Sequence, residues 1–357
     1  MDEHDFENLP TRQKRGQRRS EGIDRRVERL RGTAPSPSSA DEAPDPDAPA
    51  ESVLPGEALV VAITRGQCEV ELNGEIVHCH LPKALALAQQ SELAVGDRLR
   101  LARRPNGELV AAQVLPRWSR LSRPDPLLVH RERVLAANLD LAVVVTALRK
   151  PALATGLLDR FLVALGHGGV PAAIVVNKYD LAEVDTASDP ELARLAPYRA
   201  LTLPFLFCSV KTGLGIEGLR ELLAGKTVVF VGHSGVGKSS LLSALSPELD
   251  VRIGEVSTMN SRGRHTTTRA RIYRLEGDTR IIDTPGIREF GLWQLSREEL
   301  SSYFEEFEPL APHCRFANCS HSHEPSCAVR EAAASGPLDP SRYETYLRIL
   351  ASLATER

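Results

Sequence analysis

The chain is 357 residues long, 42% hydrophobic and 25% charged, sequence enough for two or three packed domains of ordinary soluble composition. No apolar run approaches the roughly 18 residues that a membrane-crossing helix needs, and the N-terminus is charged where a secretory signal carries its apolar stretch, so a cytoplasmic protein without a membrane partner is expected. The formal net charge of −3 names no partner, because it averages over an uneven distribution in which basic residues crowd near one end.

The stretch TRQKRGQRRSEGIDRRVERLR, ending at Arg31, holds nine basic residues and too little apolar surface to fold alone. TAPSPSSADEAPDPDAPAES follows and reads as a solvated linker. Residues 1–55 are therefore expected to be a disordered basic arm and linker. They serve either as a solubilising tail or as an arm that engages RNA phosphates by counterion release.

Residues 56–122 change to short β-rich runs, EALVVAITRG, QCEVELNG, EIVHCHLP and VGDRLRLARRPNGELVAAQVLP. Gly66, Asn73-Gly74, Gly96-Asp97 and Asn106-Gly107 punctuate them as turns, giving about five strands, and an OB-type β-barrel fits this pattern. Arg98, Arg100, Arg103 and Arg104 favour RNA as its partner, with a plain solvated strand face as the alternative.

From 123 to 303 continuously apolar strands alternate with helices: LDLAVVVTAL, TGLLDRFLVALGHGG, PAAIVVNKYDL, FLFCSV, GIEGLRELLAG, KTVVFVG. Such runs indicate a central α/β sheet covered on both faces, with ligand loops where strands end. The first such loop is Asn177-Lys178-Tyr179-Asp180, an N-K-x-D match. Its aspartate can accept two parallel hydrogen bonds from the N1–H and N2–H₂ groups of guanine, whereas adenine offers no such pair, so GTP is expected over ATP. Ser209-Val210-Lys211 adds a second loop at the same sheet edge.

Gly232-His233-Ser234-Gly235-Val236-Gly237-Lys238-Ser239 satisfies G-x-x-x-x-G-K-[ST] between a strand and a helix. The glycines let successive N–H groups face phosphates, and the helix N-terminus adds its positive end. Lys238 would neutralise the β and γ phosphates, and Ser239 would offer its hydroxyl to Mg²⁺. Downstream, RIIDTPG places Asp283 as a second Mg²⁺ group and Gly286 as a backbone donor to the γ-phosphate. Between them SRGRHTTTRA carries Thr266, Thr267 and Thr268, placed to close over Mg²⁺ when the γ-phosphate is present.

Residues 304–357 hold the other chemistry. Cys68, Cys79 and Cys208 are scattered and read as small buried apolar residues, but Cys314, Cys319 and Cys327 crowd into HCRFANCSHSHEPSC with His321. The spacing C-x4-C-x-H-x5-C suits a closed tetrahedral Zn²⁺ site that folds a segment lacking its own core. SREELSSYFEEFEPL before it and DPSRYETYLRILASLA after it are helical in pattern, with Tyr343, Tyr346, Leu347 and Leu350 expected to pack on the metal module.

The motif order NKYD, SVK, GHSGVGKSS, TTT, DTPG resembles the circularly permuted GTPases. From about Gly56 onward the chain resembles the ribosome small-subunit-dependent GTPase A family, a bacterial assembly factor. The resemblance implies a multidomain protein: an N-terminal OB-type barrel, a central permuted P-loop GTPase domain and a C-terminal helical zinc-binding module. It implies Asn177, Lys178, Tyr179 and Asp180 at guanine, Gly232 through Ser240 at the phosphates, and Ser239 with Thr267 or Thr268 at Mg²⁺. It also implies His321 as the zinc ligand in preference to His313 or His323, and the small ribosomal subunit and its rRNA as partners of a monomer. After Asp283-Thr284-Pro285-Gly286 stands Ile287 where a water-orienting glutamine is frequent, which implies slow unassisted hydrolysis. His265 is the candidate for orienting water, against a plain loop histidine or a ribosomal group acting in trans. Two other readings stay open: a P-loop ATPase or kinase acting on a small molecule, and an RNA-binding module with a structural nucleotide.

Overall fold

The computed structural model describes residues 52–64, 67–82, 93–125, 132–246, 270–283, 292 and 294–355. The basic arm and most of the linker, the Gly66 turn, His265, Thr266 to Thr268, Gly286 and Ile287 lie outside them.

The barrel is built from β1 (Ser52–Val53), β2 (Ala58–Thr64), β3 (Gln67–Leu72), β4 (Glu75–His80), β5 (Arg98–Arg103) and β6 (Leu109–Val114). Alternation sets which face each residue takes. Cys68 and Val70 of β3 and Leu99 and Leu101 of β5 point inward, while Arg98, Arg100 and Arg103 point to solvent. Asn73 and Gly74, at φ 53° and 86°, make the two-residue turn that brings Leu72 opposite Glu75. The strands follow the order β2-β3-β4-β6-β5, and β5 returns to pair with β2, so the sheet closes on itself. Cys68 and Cys79 are buried within it, and Cys208 is buried in the neighbouring domain.

A hairpin of β7 (Arg120–Pro124) and β8 (Glu132–Ala137) leads into the α/β sheet. That sheet comprises β9 (Leu141–Ala147), β10 (Ala172–Asn177), β11 (Phe205–Phe207), β12 (Thr227–Val231), β13 (Arg271–Arg274) and β14 (Arg280–Asp283). Its order is β13-β14-β12-β9-β10-β11, parallel except for β13. β9 and β12 are buried along their whole length, as continuous apolar runs require in a sheet covered on both faces. One face packs against α1 (Thr155–His167) and the C-terminal helices, the other against α4 (Ile216–Leu223) and α5 (Lys238–Leu245). Two short helices, α2 (Pro190–Arg194) and α3 (Ala196–Arg199), precede β11.

The barrel is locked to this domain by buried polar groups. Asp97 is fully buried and accepts from Ala94 N at 2.7 Å and from Arg117 Nε and Nη2 at 2.6 and 2.7 Å. Asn138 donates to Gly96 O at 2.8 Å and accepts from Trp118 N at 3.1 Å. Among the described residues one register pair, Ala62 with Arg271, makes the barrel and the α/β sheet continuous.

The segment 296–310 differs from the helix its pattern suggests. Only α6 (Arg297–Leu300) is α-helical, started by a Ser296/Glu299 capping box, and three-ten turns follow at Ser301–Tyr303 and Glu305–Phe307. Tertiary demands override the local preference. Phe304 and Phe307 are both buried with stacked rings, Glu305 accepts from Thr202, and Glu306 accepts from Arg342. The chain ends with α7 (Ala328–Ser335) and α8 (Pro340–Thr355), on which Tyr343, Tyr346 and Leu350 are buried in the core shared with the α/β domain. Among the described residues no helix is long and apolar enough to cross a membrane.

Candidate active site and metal centre

β12 ends at Val231 and is followed by Gly232, whose φ of 141° and close approach to β9 both require glycine, since a Cβ there would lie 2.1 Å from Val145 O. The loop then exposes His233, Ser234 and Gly235, buries Val236, and enters α5 at Lys238. Among the described residues no side-chain hydrogen bond caps that helix, whose N-terminus is the positive end that favours an anion. Lys238 curls back over the loop and donates to Gly232 O at 2.7 Å and His233 O at 2.9 Å. His233 Nδ1 meets Ser234 O at 2.8 Å, and Ser239 and Ser240 are exposed on the first turn of α5.

The N-K-x-D loop closes on this one from the end of β10. Asn177 is buried and donates from Nδ2 to Val236 O at 2.9 Å, while its buried Oδ1 has no hydrogen-bond partner among the described residues. Lys178, at φ 60°, donates from Nζ to Gly235 O at 2.8 Å and to Lys150 O. Tyr179 is held by its N–H to Cys208 O and by its ring 4.8 Å from Phe207. Asp180 accepts from Ser209 Oγ at 2.7 Å, and Lys211 Nζ stands 3.9 Å from its other oxygen. Ser209 is fully buried, and Val210 and Lys211 reach outward beside it. Three loops far apart in sequence thus meet at one sheet edge.

Gly237 sits at the seam between the two principal loops. Its φ is 96°, and a Cβ on it would lie 2.2 Å from Asn177 Nδ2. Gly237→Ala is therefore expected to cost about 1–3 kcal/mol of local strain and to weaken guanine nucleotide binding roughly 10- to 100-fold. A titration of GDP followed by fluorescence measures this, and an unchanged affinity would show that the seam is not part of the site.

Asp283 closes β14 opposite Arg271, and burial pushes its carboxyl above the ordinary carboxylate range. A cation beside it would reverse that effect, which is the environment a Mg²⁺-facing aspartate needs. The pattern reading missed one contributor, the loop after β9. Lys150 O receives Lys178, and Pro151 lies 3.7 Å from where a Cβ on Gly235 would be. Arg149 ties the same loop to Asp189 at 2.8 Å and holds that carboxyl well below its usual range. Its signal was its place, at the carboxyl end of a parallel strand. A cavity of about 270 Å³ is lined by residues of this loop and α1, among them Pro151, Ala154, Leu158 and Phe161, together with His233 and Val236 of the phosphate loop.

The second centre lies in the C-terminal segment. The ligand atoms of Cys314, Cys319, His321 and Cys327 all fall within 4.8 Å of one another, and could hold a metal ion. Cys314 Sγ and Cys327 Sγ each stand 3.5 Å from His321 Nδ1 and 3.9 Å from each other. A tetrahedral zinc with ordinary bond lengths would set these edges at roughly 3.5–3.8 Å, so the residues fit. Burial pushes the Cys319 thiol up to about 12 and the Cys327 thiol upward, and it lowers His321, which keeps the imidazole neutral as a ligand must be. His321 is held at φ 57°, with Tyr343 Oη donating to its carbonyl at 2.7 Å. His323 instead meets Ser322 Oγ, and neither it nor His313 joins the cluster.

A phosphate loop, a guanine-type motif and an aspartate at the end of the next parallel strand, set on this strand order with the phosphate loop late in the chain, define a circularly permuted P-loop GTPase. Comparison with known proteins agrees. The sequence model of the RsgA GTPase family matches residues 114–293. The small ribosomal subunit biogenesis GTPase RsgA of Pseudomonas aeruginosa (strain LESB58) is 41% identical over 295 residues, covering 82% of this chain and 84% of that protein. The protein of the same name from Histophilus somni (strain 2336) is 38% identical over 287 residues, covering 79% of each. In structure, YjeQ from Thermotoga maritima superposes with a TM-score of 0.67 at 32% identity over 84% of this chain and 99% of that one. YloQ, described as a circularly permuted GTPase, gives 0.66 at 26% identity over 86% and 96%. The chain belongs to the RsgA GTPase family, and it is a GTP-hydrolysing enzyme.

Proposed function

We propose that this enzyme hydrolyses GTP to GDP and phosphate during late maturation of the small ribosomal subunit, docking on the subunit's rRNA and being stimulated by it. The observation that carries the nucleotide assignment is the Asn177 to Val236 hydrogen bond, which joins base-reading and phosphate loops 59 residues apart. The printed name of its relatives supports the ribosomal part.

In this reading Asn177, Lys178, Tyr179 and Asp180 hold guanine with Ser209, Val210 and Lys211, and 232–240 hold the phosphates. Lys238 exchanges its two carbonyl partners for phosphate oxygens, a stronger charge-assisted contact. Ser239, Asp283 and Thr267 or Thr268 hold Mg²⁺, which neutralises charge on the transferred phosphoryl. The N–H of Gly286 faces the γ-phosphate, and His265 orients water because Ile287 cannot. Cys314, Cys319, His321 and Cys327 hold one structural zinc, since all four positions are protein ligands. The division at 1–55, 56–122, 123–303 and 304–357, a cytoplasmic location and a monomeric state belong to the same reading.

Turnover of GTP and ATP with and without purified small subunits tests it. Stimulated GTP turnover, lost in His265→Ala and insensitive to excess ATP, is expected. Absence of stimulation removes the ribosomal role, equal use of ATP returns the ATPase or kinase reading, and a fully stimulated His265→Ala variant removes that residue's role.

A further inference from the structure

The C-terminal helix carries a buried charge that the nucleotide chemistry does not use. Arg342 on α8 is 3% exposed. It donates from Nη1 to Asp159 of α1, and from Nε and Nη2 to the two oxygens of Glu306 at 2.6 and 3.0 Å. Its guanidinium lies over the rings of Tyr198 and Phe304, at 5.2 and 4.9 Å. Tyr198 Oη in turn donates to Asp159 Oδ1 at 2.6 Å and lies 3.2 Å from Thr155 O, at the first turn of α1. On the same turn a Cβ at Gly156 would stand 3.4 Å from Arg348 Nη2, so α8 rests directly on the start of α1.

Two further contacts give this cluster a direction. One residue beyond Arg342, Tyr343 holds the carbonyl of His321, and Tyr346 holds that of Ser320, so α8 grips the metal loop with the stretch that grips α1. The start of α1 also shares a cavity with the phosphate loop, whose lining includes Ala154, Leu158, His233 and Val236. Four of the residues concerned, Arg342, Asp159, Glu306 and Tyr198, come from separate elements, so the cluster fixes their mutual placement where apolar packing alone permits sliding.

We infer that Arg342 is a positioning residue for the nucleotide: through Asp159 it fixes the start of α1 and so the shape of the phosphate loop, linking the seating of the metal module to GTP affinity. This rests on the proposal that the loop at 232–240 holds the phosphates. A backing that shapes the loop acts equally on bound GTP and on the transition state, so it appears in KM and not in kcat.

Removing Arg342 alone leaves the buried Asp159 and the half-buried Glu306 without their cation and threatens the fold, whereas neutralising the whole cluster does not. The test is therefore Arg342→Met combined with Asp159→Asn and Glu306→Gln in the full chain, beside Arg342→Lys and Lys238→Ala, with basal GTP KM, kcat and the melting temperature measured for each. The expected result for the triple variant is a melting temperature close to that of the parent, a KM raised roughly 5- to 20-fold, within the usual span of site-to-site coupling, and kcat within twofold. Arg342→Lys should fall between. A folded triple variant with the parent's KM, or one that loses kcat with KM unchanged, overturns the inference and leaves Arg342 a structural residue. If Lys238→Ala also leaves KM unchanged, the phosphate-loop reading itself is wrong.

Discussion

Asp180→Asn should lower GTP affinity by roughly 10²- to 10⁴-fold, because it removes two hydrogen bonds to a charged acceptor worth about 1.5–3 kcal/mol each. The fold should not notice. Asp180 lies in a loop, the oxygen that accepts from Ser209 survives as the amide oxygen, and the ion pair to Lys211 is 3.9 Å long with a lysine side chain 81% exposed, where such pairs contribute little. The amide now presents a donor where guanine also presents a donor. Xanthine carries a carbonyl at that edge, so the variant should recover affinity for XTP while wild type ignores it. Competition titrations with GTP, XTP and ATP read this exchange directly. An unchanged preference for GTP would mean that the base is read elsewhere and that Asp180 only braces Ser209.

Much of this site was legible because its signals are local. A phosphate loop is eight consecutive residues whose glycines and lysine have stated jobs, and Asn177 through Asp180 are consecutive too. The barrel was legible from alternation and the Asn73-Gly74 turn, since Cys68, Val70, Leu99 and Leu101 fall on one face at period two. What was not legible depends on pairs distant in sequence. Nothing near Arg342 points to Asp159, 183 residues away, and nothing near Ala62 points to Arg271. The 296–310 segment shows the same limit from the other side: its helical pattern is real, but Glu305 and Glu306 take partners at Thr202 and Arg342 that a continuous helix does not offer. The loop at Lys150 carries no motif, and only its place at the carboxyl end of β9 brings it to the phosphate loop.

Loss of the metal should undo the C-terminal module while leaving the sheet and barrel intact. The segment 311–327 has no strand and one three-ten turn; besides the hydrogen bonds to the Glu324 carboxylate and those from Tyr343 and Tyr346 of α8, its centre is made of the four ligands themselves. Zinc held by such a set contributes apparent binding energies of about 10–16 kcal/mol in isolated fingers, as large as a whole domain's usual margin of about 5–15 kcal/mol. Cys327→Ser isolates this contribution. Cys327 Sγ also caps α7 by accepting from Arg330 N at 3.4 Å, and serine is the better cap, so the substitution removes the thiolate and keeps the helix start. The expected result is one zinc per wild-type chain by mass spectrometry and none in the variant. Backbone amides across 311–335 and on α8 around Tyr343 and Tyr346 should then exchange rapidly, with protection kept in β9, β10 and β12. If the variant retains zinc, or if metal-free protein keeps its protection across that segment, the four residues are a core cluster and not a metal centre. The helix α8 makes the experiment informative beyond the module: its tyrosines hold the metal loop through the carbonyls of Ser320 and His321, so their release should follow metal loss and not precede it.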